Sequence, residues 1–409
     1  MNPSGRVILF TSDEAAAPDL RRRITVLPRV KIVAELDEPS LLAHAVAQFP
    51  ADVLLVDIDR TTDVVLECVA QLGQSSPALA VFALSNNTEG DIVLRSMRAG
   101  MKEYLVKPLD VEDWARALNR VVANKPAAQE PGKLISVMGS AGGVGATMLA
   151  TNLAVELAAL CREDQKVAIV DLDFRFGQVA TLLDMHSQFT VADLCATPEQ
   201  LDPQMIMKAL VHHPSGVYVL TRPHSFAQAE MITAAHCASV LTGLQELCEY
   251  VVVDGPTRHD QGARIVLDAS DHILFVLQLL VTSARNTDRM LQELSVQGFN
   301  ADRVSLVCNR LGRDSAHLEI GHVEQTLNRK IYVTIPDDWR TVSSSINVGR
   351  PLKVDFARSK VRSAIARLAM MLHDPDALAV DTDHHGGLLG KLFRKGTKPE
   401  EPAAEVVSA

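Results

Sequence analysis

The chain has 409 residues, 47% of them hydrophobic, and a formal net charge of −10 at pH 7. This length is enough for two or three domains, and the acidic balance argues against a dedicated nucleic-acid-binding surface. The six cysteines show no C-x-x-C spacing, there is no signal peptide, and no apolar run approaches the roughly 18 residues that span a bilayer. We therefore expect a cytoplasmic α/β protein.

Apolar strands alternate with helical segments over the first 123 residues. The predicted strands are 7–10, 53–56, 79–83 and 103–106, and the predicted helices are 41–48, 91–99 and 110–124. This alternation predicts a parallel sheet with helices on both faces, in a first domain spanning residues 1–123. The arginine triplet at positions 21–23 predicts a solvated helix face.

Polar residues stand near the carboxyl ends of these strands, where chemistry sits in such sheets. They are Asp13, Asp57, Ser85 and Lys107, the last followed by Pro108. In DVLLVDID, FALSNN and GMKEYLVKPLD they resemble the pocket of a response-regulator receiver domain. The resemblance implies a flavodoxin-like fold, with Asp57 as phosphoacceptor and Ser85 as switch hydroxyl.

The run after the first strand departs from that family, because Ser12 stands where one of two Mg²⁺-binding acids is expected. Since Mg²⁺ usually takes one or two carboxylates from a protein, the loss of one weakens both the ion and the phosphotransfer it supports. Two interpretations stay open: a phosphorylated switch, or a docking or dimerisation module that kept the scaffold.

Residues 124–132 are rich in proline, alanine and polar residues and predict a linker to a second domain at 133–373. That domain opens with an apolar strand, a glycine loop and a helix, an arrangement that directs backbone N–H groups toward a phosphate. The candidate phosphate-binding residues are Gly142, Gly143, Val144, Gly145, Ala146 and Thr147.

The loop fails the bare pattern G-x-x-x-x-G-K-[ST]. Gly145 and Thr147 are in place, but the first glycine is displaced to Gly139 and the lysine is Ala146. A glycine turn without a nucleotide therefore remains an alternative interpretation of this stretch.

Further apolar strands are predicted at 166–171, 250–254, 273–277 and 304–309, and helices at 228–248, 284–297 and 356–372. Acids follow two of the strands, as Asp171 with Asp173 and as Asp254, and Asn309 and Arg310 end another. The order again predicts a doubly wound parallel sheet.

The glycine loop, VDLDFRFGQVATLLD, EYVVVDGP and VCNR together resemble the MinD/ParA class of P-loop ATPases over residues 133 to about 373. The resemblance implies a homodimer that binds ATP or ADP with Mg²⁺. Asn309 and Arg310 would then contact the base, and Asp173 would position the attacking water. The implied Mg²⁺-binding residues are Thr147, Asp171 and Asp254.

Both lysines of that class are missing, since Ala141 and Ala146 occupy their positions. A charge-assisted hydrogen bond contributes about 1.5–3 kcal/mol, so binding should weaken roughly tenfold or more. Cations at a phosphoryl transition state contribute about 10³–10⁵ in rate. Arg175 is the nearest candidate replacement, although solvation at the surface is its simpler interpretation. We therefore expect weak or no hydrolysis, with Asp173 serving only to order the switch, which is the segment VDLDFRFGQVATLLD that matches the switch region of that class.

A degenerate receiver followed by this ATPase type resembles the TadZ/CpaE family, with further support from DDWRTVSSSINVGRPL and FRFGQVATLLD. The resemblance implies an ATP-binding scaffold that localises and assembles a tight-adherence (Flp) pilus or secretion machine. Such a protein would lie at the inner membrane surface, and a cell pole is one candidate position for it. The alternatives are an active MinD/ParA-type ATPase cycling on the membrane and a response regulator with an ATPase-like output domain. DNA partitioning is disfavoured by the acidic balance.

The tail, residues 374–409, carries a short amphipathic segment at 387–395. Three cations flank its apolar side chains, which predicts a weak membrane anchor. A solvated tail or a helix that docks on a partner protein are the alternatives. The apolar residues are Leu388, Leu389, Leu392 and Phe393.

Overall fold

The computed structural model describes residues 4–27, 29–122, 131–196, 201–255, 261–312 and 318–374. Most of the predicted linker and the tail segment with Leu388, Leu389, Leu392 and Phe393 lie outside these residues. Within them, no helix is long and apolar enough to cross a membrane.

The first domain is a five-stranded parallel sheet with helices on both faces. Its strands follow the order β2-β1-β3-β4-β5, the flavodoxin-like doubly wound order, as predicted. The strands are β1 (Ser4–Phe10), β2 (Arg29–Leu36), β3 (Val53–Asp57), β4 (Ala80–Ser85) and β5 (Glu103–Val106). The helices are α1 (Ala17–Thr25), α2 (Leu42–Gln48), α3 (Thr62–Ser75), α4 (Gly90–Arg98) and α5 (Val111–Val122).

Two of these elements, β2 and α3, were not among the sequence predictions, and α1 was indicated only as a helix face around the arginine triplet. β2 is the edge strand, and its sequence RVKIVAEL mixes charged with apolar residues because only part of it is covered. The short amphipathic α1 contains three arginines and a proline in its first turn, which obscures its apolar face. Weak periodicity therefore hid elements that tertiary packing stabilises.

The second domain is an eight-stranded sheet in the order β13-β12-β11-β6-β10-β7-β9-β8. Only the edge pair β8 and β9 is antiparallel, so the predicted doubly wound sheet is confirmed for the rest. The strands are β6 (Lys133–Gly139), β7 (Val167–Asp171), β8 (Val211–His212), β9 (Val217–Leu220), β10 (Tyr250–Asp254), β11 (His272–Leu277), β12 (Val304–Leu311) and β13 (Ile331–Pro336).

Helices cover both faces of this sheet. They are α6 (Ala146–Ala158), α7 (Val179–Leu182), α8 (Val191–Cys195), α9 (Pro203–Ala209), α10 (Phe226–Glu230), α11 (Ala234–Leu247), α12 (Gln261–Ala269), α13 (Val281–Val296), α14 (Ile320–Leu327), α15 (Trp339–Val348), α16 (Leu352–Asp355) and α17 (Lys360–His373). The single helix predicted at 228–248 is two helices, because Thr233 forms a capping box that starts α11. The helix predicted from residue 356 begins at Lys360, where the side chain of Ser359 caps it.

The helix after the glycine loop, α6, is buried along nearly its whole length. Its polar residues are paired: Glu156 forms two hydrogen bonds with the guanidinium of Arg362 on α17, at 2.7 and 2.8 Å. Asn152 accepts a hydrogen bond from the backbone N–H of Leu352 at 2.8 Å. Buried polar groups with partners fix the position of α6, and with it the loop that precedes it.

The two domains meet where β2 packs against α12. Arg21 is only 2% exposed, which corrects the prediction of a solvated face for this member of the triplet. Its Nη1 donates to both carboxylate oxygens of Asp268, at 2.8 and 2.9 Å, and its Nη2 pairs with Glu35. Lys31 and Asp271 form a second ion pair at 2.9 Å. The receiver-like domain is therefore fastened to the second domain by ion pairs with little access to water.

Candidate functional site

The glycine loop joins β6 to α6 and adopts a conformation that needs glycine. Gly143 and Gly145 have φ values of +78° and +95°, in the region that other residues rarely adopt. A Cβ on Gly145 would also collide with the side-chain amide of Asn309. The backbone at this point is therefore available only to glycine.

Neighbouring side chains hold the loop through its carbonyl groups. Asn309 donates to the carbonyl of Val144 at 2.8 Å, and Asn286 donates to the carbonyl of Ser140 at 3.1 Å. The hydroxyl of Ser140 contacts that of Ser283 at 2.7 Å. The N-terminus of α6 has no side-chain cap, so its first N–H groups are available to an anion.

Two carboxylic acids lie side by side at the carboxyl edge of the sheet. Asp171 ends β7 and Asp254 ends β10, and the two residues are directly paired in the parallel register. Each is 2% exposed, and one oxygen of each, Oδ1 of Asp171 and Oδ2 of Asp254, has no hydrogen-bond partner. Burial raises the pKa of Asp171 to about 7 and raises that of Asp254 well above its usual range, although a hydrogen bond from Thr147 opposes the shift at Asp254.

These oxygens fit a magnesium ion. Mg²⁺ prefers hard oxygen ligands and is usually held by one or two carboxylates together with substrate phosphates and water. The structure brings together all three residues predicted for this role, namely Thr147, Asp171 and Asp254. Within the described ranges no group of three or more His, Cys, Asp or Glu residues is placed to hold a metal alone. A Mg²⁺ ion at this acid pair would take its other ligands from a phosphate and water.

The switch after β7 is folded over this acid pair. Gly177 passes so close to Asp171 that a Cβ there would overlap its carboxylate. Oδ1 of Asp173 accepts hydrogen bonds from the backbone N–H groups of Arg175 and Phe176, at 3.3 and 3.0 Å. Asp173 thus lies on the turn that shapes the switch.

The positions of the two missing lysines lie at this loop. Ala141 is exposed and Ala146 is half-buried at the first position of α6. The guanidinium of Arg175, the candidate replacement, lies 3.8 Å from the carboxylate of Glu230 at the surface. Arg175 is therefore engaged at the protein surface in this conformation.

A cavity opens beside the glycine loop, between α6, β12 and α15. Gly145, Asn309, Arg310 and Trp339 are among the residues that line it. The guanidinium of Arg310 lies 5.8 Å from the centre of the Trp339 ring. Oδ1 of Asn309 accepts a hydrogen bond from the backbone N–H of Arg310, and its amide nitrogen donates to the carbonyl of Val144. The Asn309 side chain therefore links the wall of the cavity to the glycine loop.

Two residues of this site were missed by the sequence reasoning. Arg222 donates to the carbonyl of Gly177 at 2.9 Å and lies close enough to lower the pKa of Asp171 against the effect of burial. It follows the strand β9, at the same edge as the acids, which is the signal that could have found it. Trp339 gave no such signal, because an exposed tryptophan at a helix start has many explanations.

The receiver-like domain has its own polar pocket at the carboxyl edge of its sheet. Nζ of Lys107 lies 2.6 Å from Oδ1 of Asp57, and the hydroxyl of Thr11 donates to Oδ2 of Asp57 at 2.8 Å. Asp13 is paired with Arg60 at 3.2 Å. Ser12, expected in place of an acid, donates instead to the carbonyl of Asp37 at 3.1 Å.

Ser85 contacts Asp59 in this pocket, a residue that the sequence reasoning did not single out. The hydroxyl of Ser85 donates to Oδ1 of Asp59, and Lys107 lies 2.9 Å from its Oδ2. Asp59 follows Asp57 by two residues in DVLLVDID, which would have been sufficient reason to consider it. Of the four predicted residues, the structure links Asp57, Ser85 and Lys107 through this carboxylate.

The second domain is similar in sequence to known proteins. Residues 132–297 match a family model described as an AAA domain. The septum site-determining protein MinD of Thermotoga maritima is 24% identical over 244 residues, covering 58% of this chain and 87% of that protein.

Solved structures agree. A ParA family ATPase from Chlorobium tepidum superposes with a TM-score of 0.56 at 20% identity, covering 60% of this chain and all of the other. MinD of Pyrococcus horikoshii, solved with Mg-ADP, gives 0.53 at 18% identity, covering 60% of this chain and 98% of the other. The second domain is therefore a P-loop NTPase fold of the MinD/ParA type.

Proposed function

We propose that this protein is a nucleotide-binding scaffold similar to the TadZ/CpaE family, which localises and helps to assemble a tight-adherence (Flp) type pilus or secretion machine. It binds ATP or ADP with Mg²⁺ and hydrolyses ATP weakly or not at all. The proposal depends on one combination of features. The phosphate loop keeps Gly143 and Gly145, and the candidate magnesium-binding residues Asp171 and Asp254 are present, but both lysines are replaced. This domain is joined to a receiver-like domain.

Nucleotide binding is supported by the groups that remain. The uncapped N-terminus of α6 offers N–H groups to phosphates, and the unpartnered oxygens of Asp171 and Asp254 suit a metal ion. When bound, Mg²⁺ neutralises the phosphate charge that the missing lysines would otherwise meet. Arg310 and Trp339 line the adjoining cavity, where the guanidinium and the aromatic ring, 5.8 Å apart, offer surfaces on which a base could stack.

Weak hydrolysis is supported by the state of the switch. Asp173 uses Oδ1 to hold the turn at Arg175 and Phe176, and Arg175 extends to Glu230. Both groups are engaged within the chain in this conformation, which favours weak hydrolysis. The protein would then respond to nucleotide occupancy rather than to turnover.

A homodimer at the inner membrane surface completes the proposal. Phe176 and Phe226 are 69% and 57% exposed and make an edge-on contact at 6.5 Å between ring centres. Met231 nearby is 76% exposed, so this face beside the switch is unusually apolar for a surface. We assign this face to the contact with the second copy in a homodimer. Pilus or secretion proteins and the membrane would then bind other parts of the chain.

Calorimetry with ATP and Mg²⁺, combined with phosphate release, tests the nucleotide half. We expect binding that Asp254→Ala weakens strongly, with no appreciable phosphate release. Ala146→Lys should tighten binding roughly tenfold, because it restores a charge-assisted hydrogen bond. Ala159→Lys adds the same charge at the far end of α6 and should change nothing. Turnover at ordinary ATPase rates would favour the alternative function, an active ATPase that cycles on the membrane. The presence of both Asp171 and Asp254 is the observation that supports this alternative.

Imaging and pilus counts test the cellular half. A fluorescent fusion should form foci in cells that assemble the pilus, and pili should be lost when Asp254→Ala replaces the wild-type protein at equal abundance. Diffuse fluorescence together with normal pili would contradict the assembly role and leave nucleotide binding intact.

A further inference from the structure

The carboxylate of Asp59 lies in the pocket of the receiver-like domain, with its side chain 21% exposed. Its Oδ1 accepts hydrogen bonds from the hydroxyl of Ser85 and from the backbone N–H of Asn86, the latter at 3.0 Å. Its Oδ2 accepts from the Asn86 side-chain amide and from Nζ of Lys107, both at 2.9 Å. Four donors of three chemical kinds thus converge on one anion.

The same donors are the groups that would bind an anion placed on Asp57. Lys107 bridges the two acids, with Nζ 2.6 Å from Asp57 and 2.9 Å from Asp59. The second oxygen of Asp57 is held by Thr11, and its first also accepts from the N–H of Asp59 at 3.2 Å. An oxyanion attached to Asp57 would have to displace Asp59 from both Lys107 and Ser85.

We propose that the Asp59 carboxylate is a built-in anion that occupies the oxyanion site of the receiver-like domain, so that the domain keeps its β4–α4 loop closed without phosphorylation. A carboxylate and a phosphoryl group share what this site requires, namely a negative charge and several acceptor oxygens. The site is thereby filled from within the chain.

The pocket contains the cation that this arrangement needs. Lys107 is only 14% exposed and neutralises part of the charge of Asp57 and Asp59, while Asp13 is paired separately with Arg60. The ammonium group of Lys107 lies between the two acids, within 2.9 Å of both.

The filled pocket determines the shape of the loop that leads to α4. Asp59 holds Asn86, and the N–H of Asn87 donates to the hydroxyl of Ser85 at 3.0 Å. From the other side, the hydroxyl of Tyr104 donates to the carbonyl of Asn87 at 2.6 Å. The loop is pinned from both sides, and the start of α4 is fixed with it.

Hydrogen exchange measured by mass spectrometry on the full chain tests the proposal. In the wild type, peptides covering residues 84–92 should be protected and should not respond to beryllofluoride with Mg²⁺, a phosphoryl analogue. Asp59→Ala should speed their exchange at least about tenfold, since the closed loop loses its anchor. Beryllofluoride or millimolar inorganic phosphate should then restore protection in this variant, because the vacated site accepts an external anion.

Asp63→Ala is the matched control, because Asp63 is exposed on α3 and, among the residues that the structure describes, its ion pair is with Arg95; it should leave the loop unchanged. Asp59→Asn guards against misfolding, since it keeps the shape and removes the charge, and it should give a smaller acceleration of the same peptides. The proposal is overturned if the wild-type loop gains protection with beryllofluoride, if acetyl phosphate labels Asp57 in the wild type, or if folded Asp59 variants stay fully protected. Failure of an external anion to restore Asp59→Ala would also overturn it.

Discussion

Arg21 and Asp268 are 247 positions apart in the chain and form an ion pair buried between the two domains, in which Nη1 of Arg21 donates to both carboxylate oxygens. Burial raises the pKa of Asp268 and outweighs the lowering by the Arg21 charge. Asp268 lies on α12, the helix that follows the strand ending in Asp254. The receiver-like domain thus contacts the helix next in sequence after the proposed magnesium site.

Replacing Arg21 by alanine should destabilise the protein by up to about 3–5 kcal/mol, because the buried carboxylate of Asp268 loses two short hydrogen bonds and is left with the longer contact to Arg264, at 3.9 Å. Urea unfolding at neutral pH measures this loss. Arg22→Ala is the matched control, since Arg22 is 57% exposed and its pair with Asp19 should contribute at most about 1 kcal/mol.

The double variant Arg21→Met with Asp268→Leu separates a lost ion pair from a stranded charge. It should be closer to the wild type than either single variant, because it leaves no unpaired charge at the interface. A double variant as unstable as either single variant would show that the pair itself, rather than the stranded charge, stabilises the interface.

Gly145→Ala should disrupt the phosphate loop. Its φ of +95° costs an alanine roughly 1–2 kcal/mol, and the new methyl group collides with Asn309. We expect a lower melting temperature and no detectable ATP binding by calorimetry. Gly142→Ala is the stability control, because Gly142 has no positive φ and no atom within 4 Å of an added Cβ. Equal melting temperatures for the two variants would contradict the role of the Asn309 contact.

Much of the fold could be predicted from the sequence because the central strands are continuous apolar runs. Val53 to Val56 and Tyr250 to Asp254 are buried at every position, and parallel strands covered on both faces produce this pattern. The edge strand Arg29–Leu36 lacked it, since only part of its surface is covered. Arg21 was misread for a related reason: its burial depends on the other domain, which local periodicity does not report.

The site was predictable where chemistry follows strand ends, and less so where it depends on loop geometry. Asp171 and Asp254 were found because the ends of parallel strands meet at one edge of a sheet. Asp59 was missed, because its role depends on its contacts with Ser85 and Lys107, which are 26 and 48 positions away. The spacing of Asp59 two residues after Asp57 was reason to consider it, but that spacing carries no sign of these long-range hydrogen bonds.

Asp171→Asn should stabilise the protein while removing its response to magnesium. Two adjacent buried carboxylic acids with unpartnered oxygens cost folding free energy, and an amide at one position removes one of the two acids. We expect a higher melting temperature than the wild type without Mg²⁺ and nucleotide. Addition of Mg²⁺ and ADP should raise the wild-type value and leave that of the variant unchanged. Asp193→Asn, which changes an acid outside this site, should keep the ligand-dependent rise. A variant that melts lower than the wild type without ligand would show that the acid pair stabilises the free protein.

The pH dependence of the β4–α4 loop should depend on Asp59. Partial burial raises the pKa of this carboxyl, but hydrogen bonds from Ser85, Lys107 and Asn86 outweigh it and hold the pKa below its usual value. A carboxylate whose pKa is lower in the folded state than in the unfolded state stabilises the fold at pH values above the unfolded pKa, which is about 3.9 for aspartate. This stabilisation is lost as the pH falls through the folded-state pKa. We therefore expect protection factors for residues 84–92 to be higher in the wild type than in Asp59→Asn at neutral pH, and to converge with them in acid. Because the two proteins differ only at residue 59, the comparison isolates the contribution of this carboxyl. A difference that persists or grows as the pH falls to about 3, below the usual aspartate pKa, would show that charge on Asp59 is not what closes the loop.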